Sequence, residues 1–209
     1  MHSACSCAGG RVLLVTLEGI DGSGKSTLYA ALQTRLADLE PVFTREPGSP
    51  YLGDAVRRAI RENADPLAEA ALFVADHAVH LSEVVRPALA QNKLVISDRY
   101  VDSRFAYQLI SLAGAHPNPK EWLTKVHEGW SIRPDVTFLL VISPKEALER
   151  VSGRGEAEHF EQLGFLEKVS QNYMDRVAED PARFVLVDAT LSPETIASFV
   201  EKSIRERMQ

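Results

Sequence analysis

The sequence predicts an α/β fold, a parallel sheet covered on both faces by helices, and three observations carry that prediction. Five short apolar runs, at 12–17, 42–44, 94–97, 136–142 and 184–187, alternate with longer helical patterns. The first run leads straight into Gly19-Ile20-Asp21-Gly22-Ser23-Gly24-Lys25-Ser26, which fits the phosphate-loop pattern of Gly, four residues, then Gly-Lys-Ser. The chain has 209 residues with 45% hydrophobic and 25% charged content, enough for one sizeable buried core.

Taken in order, residues 1–11 read as a flexible tail and 12–209 as a single domain. The tail holds both cysteines, Cys5 and Cys7. They are too close in sequence to tie distant parts of a fold and too few for a zinc site, so a reducing, cytoplasmic setting is expected. The run at 12–17 is the first strand, and an amphipathic helix is expected over 27–39. Between them the glycines let backbone N–H groups turn inward on phosphate oxygens, and the helix start adds partial positive charge. Lys25 reaches the outer phosphates, Ser26 is placed to hold Mg²⁺, and Thr27 completes the loop. This is a nucleoside triphosphate site.

The second strand, 42–44, runs into Thr44-Arg45-Glu46-Pro47-Gly48, with irregular backbone expected over 46–51. Arg45 therefore lands at a carboxyl end, on the ligand side of a parallel sheet, where a guanidinium can grip a phosphate. A helical pattern follows from about 66 to 90. The third strand ends Ser97-Asp98-Arg99-Tyr100, which puts the Asp98 carboxylate near the metal of the phosphate loop. A water-activating ATPase commonly has Glu after this Asp; Arg99 is suited instead to an anionic substrate.

Phe73 and His77 lie four apart on one helical face, and Arg104, Tyr107 and Gln108 share another. A ring to stack on with polar groups at its edge suits a nucleobase, although on spacing alone such rings more often pack in the core. Irregular backbone is expected again at 114–119, before the fourth strand. The stretch Glu149-Arg150-Val151-Ser152-Gly153-Arg154-Gly155-Glu156 then ends a helix in a charged, Gly-containing loop, expected to close over phosphates as a short lid at about 150–160. The fifth strand leads to Asp188-Ala189-Thr190.

Composition excludes several classes. No apolar run approaches the roughly 18 residues of a membrane span. A net charge of -6 with dispersed acidic residues offers no pull toward nucleic acid.

The ordered set Leu17-Glu18-Gly19-Ile20-Asp21-Gly22-Ser23-Gly24-Lys25-Ser26-Thr27, Thr44-Arg45-Glu46-Pro47-Gly48, Ser97-Asp98-Arg99-Tyr100, Ala106-Tyr107-Gln108 and Val187-Asp188-Ala189-Thr190 resembles the thymidylate kinases, phosphate-loop nucleoside monophosphate kinases. The resemblance covers essentially the whole chain after Arg11. It implies the three-layer P-loop NTPase fold, a five-stranded parallel sheet flanked by helices, with a short lid. It also implies transfer of the ATP γ-phosphate to dTMP, giving dTDP and ADP, with Mg²⁺ as cofactor. A homodimer pairing through helices is implied as well, the helix at 66–90 being the candidate.

By the same resemblance, Asp21 lies near the sugar 3′-hydroxyl and the metal, and Arg45 and Arg99 contact the acceptor 5′-phosphate. Phe73 stacks on thymine, Tyr107 lies beneath the sugar, and Asp188, Ala189 and Thr190 line the adenine. With Gly at position 22, the catalytic arginine is expected from the lid, Arg150 or Arg154. The sequence departs from the family pattern in three places: His77 stands where Arg is usual, Gly48-Ser49-Pro50 where Gly-Gly-Thr is usual, and Arg104 where a small polar residue is usual. Arg104 is expected to take over the base-edge contact that His77 is too short to make.

The acceptor of such a reaction is already anionic, so positioning and charge stabilisation suffice. Two other readings stay open at this point. A kinase for another pyrimidine nucleotide would differ only in the base pocket, and one for a deoxynucleoside would need a base, for which Glu18 is the candidate. A nucleotide-regulated binding module would hydrolyse slowly without an acceptor, but Asn92-Lys93 does not continue into a guanine-binding motif.

Overall fold

The structure, a computed structural model, describes residues 12–151 and 163–209. The tail at 1–11, with Cys5 and Cys7, and most of the expected lid, with Arg154, lie outside the described residues. Five strands, β1 (Leu14–Glu18), β2 (Val42–Arg45), β3 (Val95–Asp98), β4 (Val136–Val141) and β5 (Phe184–Asp188), form one all-parallel sheet in the order β2-β3-β1-β4-β5. The central strand β1 is buried along its whole length. Its side chains alternate between two separate apolar layers, Val15 and Leu17 in one and Leu14 in the other, as expected for a sheet covered on both faces.

Register places the site. Leu17 of β1 pairs with Asp98 of β3, and Asp98 also pairs with Arg45 of β2, so three carboxyl ends finish level. The chain order reverses at β1, between β3 and β4, which is where open parallel sheets leave a crevice for ligands.

Helix α1 (Lys25–Arg35) starts inside the phosphate loop. It is shorter than the span to residue 39 expected from the sequence: Leu36 leaves helical geometry, and Ala37–Leu39 continues as a single 3-10 turn that ends at Glu40 with φ 47°. After α2 (Leu52–Arg61) comes α3 (Pro66–His80), begun by the Asp65 carboxylate, which accepts from Leu67 N at 2.9 Å and Ala68 N at 3.1 Å, with Pro66 in the first turn. α3 runs through a π-helical turn at Leu81–Val85 into α4 (Arg86–Ala90), so the expected helix at 66–90 exists with one wide turn inside it. The remaining helices are α5 (Val101–Ser111), α6 (Pro119–His127), α7 (Pro144–Val151), α8 (Leu163–Glu179) and α9 (Pro193–Met208).

One face of the sheet packs Leu28 and Leu32 of α1, Leu166 and Val169 of α8, and Val200 and Ile204 of α9 against β1 and β4. The other face packs Ala70, Leu81, Val85, Phe105 and Leu123. Among the described residues no helix is long and apolar enough to cross a membrane.

Candidate active site

A cavity of about 810 Å³ opens above the carboxyl ends of the strands. Its floor is the phosphate loop. Lys25 is 6% exposed, and its ammonium donates to the carbonyls of Gly19 at 2.9 Å and Ile20 at 3.0 Å, so Gly19 and Ile20 hold the lysine from beneath while Asp21 to Thr27 line the cavity. Burial, and then the nearby Arg99 charge, push the Lys25 amine down to about 8 against the pull of Asp21, Asp98 and Glu18. Gly22 takes φ 85°, and a Cβ there would sit 2.2 Å from the Ala147 carbonyl of α7. A larger residue would collide with backbone, so this loop has no room to supply an arginine of its own.

Beside the loop, Asp98 ends β3 with Oδ1 buried and without a hydrogen-bond partner among the described residues. Asp98 and Ser26 line the same cavity, and a carboxylate beside a hydroxyl fits a hard divalent cation with oxygen ligands. Arg99 follows with φ 66°, a conformation few non-glycine residues hold. It is anchored there by its N–H to Leu17 O at 3.0 Å and by its carbonyl, which accepts from Ser97 Oγ at 2.7 Å.

The twist aims the Arg99 guanidinium at Asp21, with which it pairs, and at Ser103 Oγ at 3.2 Å. It also sits over the Tyr107 ring, 5.0 Å from its centroid. Tyr107 donates to the other Asp21 oxygen at 3.0 Å. Burial would raise the Asp21 carboxyl, but Arg99 and then Lys25 outweigh it and hold it below its ordinary value. Arg45, exposed, and the half-buried Phe73 line the cavity as well, with Gln108.

His77 lies elsewhere. The structure does not bring it to the cavity: it is fully buried, Nδ1 bonded to Glu46 Oε1 at 2.7 Å and Nε2 to Ser131 Oγ at 2.8 Å, leaving no ring nitrogen for a ligand. Arg104 does line the cavity, paired through Nη2 with Glu46 Oε2. Burial would raise the Glu46 carboxyl; Arg104 and then His77 overcome this and hold it well below the usual range.

Ser49, the other departure, has a structural reason as well. Its hydroxyl donates to Asp76 Oδ1 at 2.6 Å and accepts from Leu52 N and Gly53 N, starting α2. Glu18, the candidate base of a deoxynucleoside kinase, does not line the cavity. Its carboxylate is taken by Tyr100 N at 2.8 Å, Ser103 Oγ at 2.6 Å and Tyr173 OH at 2.8 Å.

The far end of the cavity is walled by Arg150, Val151, Ala189, Leu191, Pro193 and Ile196. Asp188 and Thr190 do not line it themselves. Asp188 Oδ1 accepts from Thr190 N at 2.9 Å and Thr190 Oγ1 at 2.6 Å, a local turn that presents Ala189. Arg150 donates to the Ala189 carbonyl from Nη1 at 3.1 Å and Nη2 at 3.2 Å, tying the end of α7 to that turn. Sequence reasoning missed Arg57 and Ile60 of α2, which also line the cavity. Their spacing of three on one helical face was the available signal.

A triphosphate loop, a carboxylate for a metal, and separate arginines facing one crevice define a phosphate-loop nucleotide phosphotransferase. The family model described as thymidylate kinase matches residues 17–200. A probable thymidylate kinase of Methanocorpusculum labreanum is 65% identical over 193 residues, covering 92% of this chain and 98% of the relative. Similar proteins of the same description from Methanospirillum hungatei, at 60% over 93% of this chain and 95% of the relative, and from Methanoculleus marisnigri, at 56% over 92% and 94%, agree. The chain belongs to the thymidylate kinase family, ATP-dependent phosphotransferases that phosphorylate dTMP in nucleotide biosynthesis.

Proposed function

We propose that the cavity divides the transfer from ATP to dTMP among its residues as follows. The phosphate loop and Lys25 hold the β- and γ-phosphates, with the lysine moving from the Gly19 and Ile20 carbonyls onto phosphate oxygen. Adenine rests against Ala189 in the turn shaped by Asp188 and Thr190, with Arg150 beside it. Arg45 and Arg99 hold the acceptor 5′-phosphate, Phe73 stacks on the base, Asp21 lies by the sugar, and Tyr107 lies under it. Ser26 and Asp98 would hold Mg²⁺, which when bound neutralises phosphate charge.

The acceptor phosphate oxygen, already ionised, attacks the γ-phosphorus while the bond to the β,γ-bridging oxygen breaks and ADP leaves. No proton has to be removed, which agrees with the engagement of Glu18 elsewhere. The observation that carries the reading is the convergence of Lys25, Arg45, Asp98 and Arg99 on one cavity, produced by strand register. A homodimer pairing along the helix at 66–90, acting in the cytoplasm, completes the proposal; light scattering checks the pairing.

The test is steady-state ADP release from ATP and Mg²⁺ with thymidylate, uridylate, deoxyuridylate and thymidine offered separately. Turnover is expected with thymidylate well above the other monophosphates and absent with thymidine. ADP release independent of any acceptor would overturn the reading.

A further inference from the structure

Two of the family departures, His77 and Arg104, meet on one buried carboxylate. Glu46, the residue after Arg45, is 5% exposed. Its Oε1 is bonded to His77 Nδ1 at 2.7 Å and to His80 Nδ1 at 2.5 Å, and its Oε2 is paired with Arg104 Nη2. The far nitrogens of both rings face hydroxyls, Ser131 Oγ at 2.8 Å and Thr44 Oγ1 at 2.7 Å. An ionised carboxylate only accepts, so each ring donates Nδ1–H to Glu46 and meets its hydroxyl through Nε2. Glu46, His77 and His80 also offer three atoms within 4.8 Å of one another, as a metal site would. Each ring already stands at hydrogen-bond length from the same oxygen, so the set is a clamp on the carboxylate.

The clamp leaves something over. Arg104 spends Nη2 on Glu46 and Nε on the Phe73 carbonyl at 3.3 Å. Nη1 is buried and has no partner among the described residues, although buried guanidinium N–H groups are costly to leave unpaired. Arg104 lines the cavity beside Phe73 and Gln108. We propose that Arg104 reads the base of the acceptor, donating Nη1–H to the 4-carbonyl of a 4-oxopyrimidine, and that Glu46, fixed by His77 and His80, is the positioning residue that holds the guanidinium in place.

This rests on the acceptor assignment above. A guanidinium only donates, so it matches the carbonyl of thymine or uracil and opposes the 4-amino group of cytosine. The usual arginine at position 77 is then replaced by an arginine from α5, and the histidine left in its place supports that arginine through Glu46.

The experiment compares kcat/KM for thymidylate with that for deoxycytidylate in the wild type and in Arg104→Lys, Arg104→Met and His77→Phe. Arg104→Lys keeps a charge for Glu46 but loses the planar fork that presents a second N–H, and it decides the case should Arg104→Met fail to fold. The expected result is a fall of about tenfold or more in the thymidylate preference for both Arg104 variants. For His77→Phe a smaller fall in the same ratio is expected. Equal loss on both substrates, or an unchanged ratio in Arg104→Lys, would mean a structural ion pair and overturn the proposal. An unchanged ratio in His77→Phe would overturn the positioning half. A wild type that prefers deoxycytidylate would instead bring down the acceptor assignment, a result visible before any variant is made.

Discussion

Replacing Lys25 with Met should stabilise the ligand-free protein while removing its activity. Burial costs the ammonium its hydration, and two backbone carbonyls with a half-exposed carboxylate nearby do not fully compensate. Folding takes the amine from 10.5 to about 8. At about 1.4 kcal/mol per pH unit this is roughly 3 kcal/mol charged against the folded state at pH 7. Losing two hydrogen bonds to carbonyls offsets about 1–2 kcal/mol of the gain. Lys25→Met should therefore be more stable by about 1–2 kcal/mol, or several degrees in Tm for a chain of this size.

The sign against pH follows from the lowered amine. Below about 8 the lysine is charged in both states and the penalty is complete; between about 8 and 10.5 the folded protein sheds the proton first and the penalty fades. Urea titrations at pH 7, 8.5 and 9.5 should show the advantage of the variant shrinking. Saturating ATP and Mg²⁺ should reverse the order, because phosphate supplies the missing partner. A Lys25→Met protein less stable than wild type at pH 7, or an advantage that holds steady to pH 9.5, would refute the reasoning.

Gly22→Ala places a Cβ 2.2 Å from the Ala147 carbonyl at φ 85°, so a loss of about 1–3 kcal/mol and a raised KM for ATP are expected; an unchanged Tm would mean that α7 yields. Arg99→Lys keeps the charge but not the fork that reaches Asp21 and Ser103, and should raise the thymidylate KM about tenfold with little change for ATP, as initial-rate kinetics would report. Arg150→Ala should act on the KM for ATP, since its guanidinium is tied to the Ala189 carbonyl; a fall of roughly a thousandfold in kcat at unchanged KM would assign it to the transferring phosphate instead. Asp76→Ala strands the Gly48 and Ser49 N–H groups and the Ser49 hydroxyl, and should cost about 3 kcal/mol or more by chemical denaturation.

The sheet was legible because its signals are local. Runs of β-branched and aliphatic residues mark all five strands to within about two residues, and the phosphate loop fixes which end of the sheet binds ligand. The helix at 27–39 was overextended because Leu36 has good propensity, and only its backbone geometry stops α1 at Arg35. The π-helical turn at Leu81–Val85 left no mark in the sequence pattern. Arg45, Asp98 and Arg99 could be placed at strand ends from sequence, since position along a strand decides them. His77 could not. Its spacing from Phe73 puts the two residues on one helical face, but which partner waits there depends on Glu46, 31 residues earlier on another strand's loop.

That dependence runs in both directions. α3 sends Asp76 into the acceptor loop, where it takes Gly48 N at 3.1 Å and Ser49 N at 3.0 Å, and the loop sends Glu46 back to His77 and His80 of the same helix. Each element thus supplies a buried carboxylate to the donors of the other. A Cβ at Gly48 would stand 2.2 Å from the Arg45 carbonyl, so the loop can fold tightly enough for this exchange only with glycine there. Ser49 then fits where the family usually has glycine because Asp76 accepts its hydroxyl, and His77 fits where arginine is usual because Glu46 accepts its Nδ1–H. Each of these two changes is satisfied by a carboxylate from the other element, which explains why neither side chain has an unpaired buried polar atom among the described residues. Arg104 is the exception: it lines the cavity, and its Nη1 is buried without a partner among the described residues.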